Sequence, residues 1–178
     1  MAGPGPQPEA IRIFGDPCLR RRCREVRPGE DTTGLVRMMT AAMARADGLG
    51  LAAPQVGDDR RVLLARDPER GRRRPPLVMV NPRLLSASGP PVSFEEGCLS
   101  FPGLFFDLER PRDVVVAYRD PAGVEHTLEA GGLLARIIQH EIDHLDGKLF
   151  IDRLPQWRRW LLGRRLRRLR RGAGKAVA

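Results

Sequence analysis

The feature that most constrains this chain is a predicted helix at Leu133–Leu145 that is apolar around nearly its whole circumference. At about 100° per residue, one stripe of this helix holds Leu133, Ile137, His140 and His144. A neighbouring stripe holds Leu134, Ile138, Ile142 and Leu145, and a third holds Arg136, Gln139 and Asp143. A helix with so much apolar surface has to be buried between other elements. The rest of the chain must therefore fold around it.

The two histidines on this helix follow the spacing of a metal site. His140 and His144 are four residues apart, which places both imidazoles on one face. Glu141 lies about 100° round the same helix, near enough to act on a metal-bound water. Buried histidines need polar partners, and a metal supplies one. The pattern predicts a metal-dependent hydrolase, with a chance match on an ordinary core helix as the alternative.

A third ligand must come from elsewhere, because two histidines do not hold a catalytic metal by themselves. A zincin-like metallopeptidase would place a Glu or His downstream, yet only Asp146 and Asp152 follow as acids, and no histidine follows His144. Upstream, Cys98 lies in a segment bounded by Pro and Gly, and thiolate is a strong ligand for Fe²⁺ or Zn²⁺. A lone cysteine is more often a small buried apolar residue. Both kinds of third ligand therefore stay open at this point.

Three segments taken together resemble the signature motifs of the peptide deformylases. They are GLGLAAPQ at Gly48–Gln55, EGCLS at Glu96–Ser100 and QHEIDHLDG at Gln139–Gly147, in the same order and at similar spacing. The likeness runs from about Ile11 to Leu154, and Gly15–Arg20 is similar to the family's N-terminal segment. Three separate motifs in one short chain are far more specific than H-E-x-x-H alone.

The resemblance implies a fold, an activity and a cofactor. We expect an α+β domain with small antiparallel β-sheets around the central H-E-x-x-H helix, followed by a C-terminal helix. The implied activity is hydrolysis of the formyl group from N-formylmethionyl nascent chains, which releases formate and a free N-terminal Met. The implied cofactor is one divalent metal held by Cys98, His140 and His144. Fe²⁺ is expected, and Zn²⁺ or Ni²⁺ could substitute because all three accept thiolate and imidazole.

The resemblance also assigns roles to individual residues. Glu141 would be the general base, while the Gln55 amide and the Leu99 backbone N–H would stabilise the developing oxyanion. The positions that match the substrate groove and methionine pocket are Leu49, Gly50, Gly97, Leu133 and Ile137. Gly103–Arg110 is more aromatic and acidic than in some members, so peptide preference beyond methionine is not predicted. A non-catalytic ribosome-binding relative with a structural metal is the remaining alternative, and its mark would be loss of Glu141 or Gln55.

Length and cysteine usage indicate one domain in a reducing compartment. A chain of 178 residues can bury a core without disulfides. Its three cysteines form no even framework, and the first ten residues show no signal peptide, so we expect a cytoplasmic location. Cys18 and Cys23 match no family role and are interpreted as ordinary thiols. No apolar run approaches the roughly 20 residues of a membrane span, so we expect no integral membrane association.

The expected order along the chain begins with a disordered segment at 1–10, rich in Pro and Gly, and continues with a catalytic domain at 11–155. A helix is predicted at Thr33–Ala46, from apolar residues at helical spacing and a stop at Gly48. Strands are predicted at Arg61–Arg66, Leu77–Val80, Asp113–Tyr118 and Val124–Leu128, the last two forming a hairpin. His126, in the last of these strands, is interpreted as structural or exposed.

The C-terminal tail, 156–178, is the basic part of the chain. It holds eight Arg and one Lys without an acid, and the remaining 22 basic residues balance the 22 acidic ones, so the tail accounts for the net charge of +9. One helical stripe holds Leu162, Leu166 and Leu169, and the opposite side holds Arg164, Arg167, Arg168 and Arg171. Three interpretations remain open: a terminal helix packed on the body, a helix that docks on ribosomal RNA, or a membrane-surface helix.

Overall fold

The computed structural model of the chain describes residues 11–71 and 74–173, and its centre is a five-stranded antiparallel sheet. The strands follow one another in chain order: β1 Gly50–Ala52, β2 Val62–Ala65, β3 Leu77–Gly97, β4 Phe105–Arg119 and β5 Glu125–Gly131. The expected α+β class is confirmed. Strands that were expected to form several small sheets lie in one sheet within the described residues, because β3 and β4 are long enough to join them.

Strand β3 is much longer than the predicted Leu77–Val80. After Val80 its residues are mostly exposed, and the ladder with β4 shifts register between Val80 and Arg83, Leu84 and Ser86, and Ser88 and Pro91. Such bulges interrupt the alternation of apolar and polar residues by which a strand is recognised in sequence. The pairing continues to Gly97 opposite Phe105. The end of β3 therefore places Glu96 and Gly97 beside the central helix.

The two predicted helices of the domain are present. Helix α1 spans Thr33–Arg45 and packs Leu35, Met39 and Met43 into a cluster with the first two strands. Helix α2 spans Gly132–Leu145, and every residue from Ala135 to Leu145 is buried. It contacts all five strands. The near-continuous apolar surface of this segment is thus buried as predicted, and it forms the axis of the core.

The tail forms two helices, α3 at Gln156–Leu161 and α4 at Gly163–Ala173. Leu162, Leu166 and Leu169 pack against an apolar cluster of the body that includes Leu19, Phe101 and Phe150. The leucine stripe is therefore used as in the first of the three interpretations, a terminal helix packed on the body. The opposite face keeps its arginines exposed, namely Arg164, Arg165, Arg167 and Arg168.

Two further expectations concern the first ten residues and membrane-spanning helices. The disorder expected at 1–10 lies outside the described residues. Among the residues that are described, no helix combines the length and apolar character that a membrane span requires.

The predicted hairpin is present as β4 and β5, which are joined by a turn at Asp120–Gly123. In this turn, Asp120 Oδ1 accepts hydrogen bonds from the backbone N–H groups of Ala122 and Val124.

Candidate metal centre and active site

The three predicted metal ligands converge at one point of the core. The candidate ligand atoms of Cys98, His140 and His144 all lie within 4.8 Å of one another. Cys98 Sγ is 3.2 Å from His144 Nε2. The two histidines are brought together by one turn of α2, and Cys98 follows directly after β3. The long β3–β4 hairpin thus brings Cys98 next to two histidines that are more than 40 residues away in the sequence.

The chemistry of this donor set fits one divalent cation. One sulfur and two imidazole nitrogens are the ligands preferred by Fe²⁺, Zn²⁺ and Ni²⁺, and three protein ligands leave a position for water. His140 Nδ1 faces Glu96 Oε2 at 3.1 Å, so its Nε2 is the nitrogen available to a metal. Burial lowers the pKa of His144 well below its usual value, because the charged imidazolium is disfavoured away from water.

Glu141 is buried beside the cluster without a polar partner. Its Oε2 has no hydrogen-bond partner among the described residues, and burial raises the pKa of this carboxyl to about 7. Gly50 of β1 makes room for it, because a Cβ on Gly50 would overlap Glu141 Oε1. A carboxyl with a pKa near neutrality can both accept and return a proton.

Gln55 is oriented by its own hydrogen bonds. It lies in a 3₁₀ turn at Ala53–Val56 and is almost fully buried. Its Oε1 accepts a hydrogen bond from the Ala52 backbone N–H at 2.8 Å, which directs Nε2 towards Ser100 Oγ at 3.2 Å and Cys98 Sγ at 3.8 Å. The amide N–H groups therefore point at the candidate metal centre, as an oxyanion donor requires.

A cavity of about 560 Å³ opens in front of these groups. The structure brings to its wall nearly every residue predicted for the site: Leu49, Gly50, Gln55, Gly97, Cys98, Leu99, Leu133, Ile137, His140 and Glu141. Sequence reasoning missed Phe94 and Arg136, which also line it, and named Phe105 only as part of Gly103–Arg110. Gly97 accommodates the Phe105 ring, because a Cβ at Gly97 would lie 2.5 Å from a ring carbon. The aromatic segment noted after Pro102 is thus part of the cavity wall.

A buried charge network behind the cluster was also missed. Arg110 is fully buried and donates from Nε to Glu96 Oε1 at 2.6 Å, from Nη2 to Glu96 Oε2 at 2.9 Å and from Nη1 to Asp143 Oδ2 at 2.9 Å. Arg153 pairs with Asp143 as well. Burial favours the neutral acid, but hydrogen bonds from His140 and Arg110 outweigh it and hold the pKa of Glu96 well below its usual range. Glu96 therefore stays ionised and orients His140.

The remaining thiols and the third histidine lie away from the site. Cys23 is part of the apolar core, and burial raises its pKa to about 12. Cys18 donates to the Pro54 carbonyl at 3.2 Å, and burial likewise raises its pKa to about 12. Both are free thiols, and neither lines the cavity. His126 is exposed on β5, where its Nε2 lies 2.9 Å from Asp120 Oδ2.

A cysteine sulfur and two imidazoles positioned around one point, with a buried carboxyl and an amide donor beside them, define a metal-dependent hydrolase. The family model described as "Polypeptide deformylase" matches residues 8–160, and the chain belongs to this family. Enzymes of this family depend on a metal and remove the formyl group from nascent peptides, and the chain is an enzyme of this kind. Family membership decides against the zincin-like metallopeptidase. Glu141 and Gln55, whose loss would mark a non-catalytic relative, are both present.

The chain is similar to individual members over most of its length. It is 48% identical over 149 residues to peptide deformylase 2 of Gloeobacter violaceus, covering 83% of this chain and 79% of that protein. It resembles the crystal structure of peptide deformylase from Thermus thermophilus with a TM-score of 0.83 and 40% identity, covering 92% of this chain and 98% of that one. The Synechococcus elongatus enzyme in complex with actinonin gives a TM-score of 0.79 and 41% identity, covering 88% and 84%.

Proposed function

We propose that this enzyme removes the N-formyl group from N-formylmethionyl nascent chains, and that Cys98, His140 and His144 hold the one metal the reaction needs. The observation that carries the proposal is the unpartnered, buried oxygen of Glu141 beside these ligands, in the wall of the cavity. A proton acceptor buried at that position serves hydrolysis and adds nothing to the stability of the fold.

The chain's own residues account for the steps of the reaction. Leu49, Leu133 and Ile137 supply apolar wall for the methionine side chain, which positions the formyl carbon near Glu141. The bound metal would lower the pKa of a water and polarise the formyl carbonyl. Glu141 accepts the proton of the attacking water and later passes it to the leaving amine. Gln55 Nε2 and the Leu99 backbone N–H donate to the oxygen that becomes negatively charged.

The substitution that tests this assignment is Glu141→Ala, with Glu141→Gln as the isosteric variant. Formate release from formyl-Met-Ala-Ser should fall by about 10²- to 10⁴-fold in both, because the proton acceptor is lost. Metal content, measured by elemental analysis, should stay at one ion per chain. His126→Ala is the matched control, since this residue is exposed and far from the cluster. Full activity in Glu141→Ala, or no activity in the wild type with metal bound, would overturn the proposal.

For the metal we propose Fe²⁺, with Zn²⁺ or Ni²⁺ able to replace it, because one thiolate and two imidazoles accept all three. A thiolate-bound ferrous ion is open to oxidation at the metal or at Cys98. Protein purified without oxygen should therefore contain more iron and turn over faster than protein purified in air. Equal activity and equal iron content in the two preparations would contradict this choice of metal.

We further propose a cytoplasmic enzyme that contacts ribosomal RNA through the exposed face of α4. The leucines of this helix are used against the body, so its arginines are left for an external polyanion, and α4 contains no acid to pair with them. Arg164, Arg167 and Arg168 changed together to Gln should weaken ribosome co-sedimentation at low salt while sparing activity on formyl-Met-Ala-Ser. Unchanged ribosome sedimentation of the triple variant would reject RNA as the partner. So would a variant that loses binding to anionic lipid vesicles but keeps its binding to ribosomes.

A further inference from the structure

Arg136 occupies a position where a charged side chain is costly. It lies on α2 one turn before His140, is more than nine-tenths buried, and lines the cavity beside Phe94 and Leu133. Burial of a guanidinium in such a place is tolerated only when its N–H groups are paired. We infer that Arg136 is a positioning residue that joins the wall of the side-chain pocket to the imidazole of His140. The inference rests on the proposed function of the cavity as the methionine site.

The hydrogen bonds of Arg136 connect three parts of the site. Nη1 donates to Glu96 Oε1 at 2.5 Å and to the Leu108 carbonyl at 3.0 Å, and Nη2 donates to the Val92 carbonyl at 2.5 Å. Glu96 in turn faces His140 Nδ1 through its other oxygen. One guanidinium thus fixes strand β3, strand β4 and the carboxylate that orients a metal ligand.

Charge neutralisation alone does not require this arginine. Arg110 already donates one hydrogen bond to each oxygen of Glu96, so the carboxylate is paired without Arg136. What Arg136 adds is the connection to the backbone of the hairpin. Without it, Glu96 would keep its ion pair with Arg110, but α2, which carries His140, would lose its hydrogen bonds to the Val92 and Leu108 carbonyls of the hairpin.

The same connection reaches the surface that a substrate side chain contacts. Val92, Phe94 and Glu96 alternate along β3 and therefore project from one face of the strand. The Arg136 Cζ lies 5.6 Å from the centre of the Phe94 ring. A methionine side chain that packs on Phe94 and Arg136 would hold this wall in place, and with it Glu96 and His140. Occupancy of the pocket should therefore raise kcat as well as lower KM.

The first test uses the wild-type enzyme with two substrates. Replacing formyl-Met-Ala-Ser by formyl-Ala-Ala-Ser should lower kcat at least about tenfold in addition to raising KM, because the shorter side chain leaves the wall unsupported. A change in KM alone would overturn the inference. If neither peptide released formate, the result would instead count against the proposed function. Failure of the inference and failure of the proposed function are therefore distinguishable.

The second test uses Arg136→Met, which keeps length and apolar character, and Arg136→Lys, which keeps the charge. The affinity of the metal-free protein for Co²⁺, measured by competition with a chelator, should fall about tenfold in Arg136→Met, as for loss of a residue that orients a ligand. Arg136→Lys should recover part of it. The kcat ratio between the two peptides should shrink towards one in Arg136→Met. Arg83→Met, at an exposed arginine of β3 that does not line the cavity, is the matched control and should behave as the wild type.

Wild-type Co²⁺ affinity or a wild-type kcat ratio in a folded Arg136→Met protein would overturn the inference. Should that variant fail to fold, the two-peptide comparison and Arg136→Lys still decide it. Co²⁺ affinity does not depend on turnover, so it reports on Arg136 even where formate release is not measured.

Discussion

Arginine has opposite roles in the surroundings of α2 and in α4. Around α2, Arg110 and Arg136 are buried, and their hydrogen bonds end on Glu96, Asp143 and backbone carbonyls. In α4, the arginines are exposed and the helix contains no acid. A buried arginine is constrained by the cost of leaving its partners unpaired, whereas an exposed one is free to meet another molecule. The number of arginines in a segment therefore says little until their burial is known.

The largest effect should come from Arg110→Leu. This change leaves Glu96 and Asp143 buried with fewer donors, and loss of one partner of a buried ion pair costs about 3–5 kcal/mol. Unfolding in urea, measured on metal-free protein so that ligand binding does not mask the change, should show the loss. A decrease of less than about 1 kcal/mol would mean that Arg136 and Arg153 can replace Arg110.

A smaller effect is expected when α4 is detached from the body. Leu166 is only partly buried in the apolar cluster, so Leu166→Ala should cost about 1 kcal/mol. Hydrogen exchange should become faster in α4, while the amides of α2 keep their protection, because the last helix can open without the core. Leu161→Ala is the control, since Leu161 is 63% exposed. Faster exchange in both helices would show that the two regions unfold as one unit.

The smallest effect should be that of Arg168→Leu in α4. An exposed side chain with no acid on its helix can be replaced within about 0.5 kcal/mol of the wild-type free energy of unfolding. The same replacement of Arg by Leu should therefore lower the free energy of unfolding far more at Arg110 than at Arg168. A loss at Arg168 as large as that at Arg110 would abolish the distinction drawn between buried and exposed arginines.

The parts of this molecule that are visible in sequence are those encoded locally. The periodicity of Leu133–Leu145 predicts a buried helix and the shared face of His140 and His144, and both are seen. Cys98 and Gln55 were assigned through the family resemblance, since no local pattern relates them to residues 40 or more positions away. The structure brings them together, with Gln55 Nε2 3.8 Å from Cys98 Sγ.

What could not be predicted depends on pairs that are distant along the chain. Glu96 meets Arg110, Arg136 and His140 across 14, 40 and 44 residues. An isolated Glu or Arg in sequence gives no sign of burial, because these residues are usually exposed. The second half of β3 was missed because its bulges and exposed residues break the alternation. The leucines of α4 predict an apolar face but not the surface that covers it.

The packing of α4 against the first described residues has a consequence for the order in which the protein matures. Gly15 adopts a φ of 113° and lies against Arg170, while Leu19 and Phe14 share a cluster with Leu166 and Leu169. That cluster joins two segments that are about 150 residues apart, and it includes Phe101, which lines the cavity, and Phe150, whose ring is 5.9 Å from that of His140. During translation, this cluster stays incomplete until α4 has left the ribosome, and Phe101 of the cavity wall is packed last.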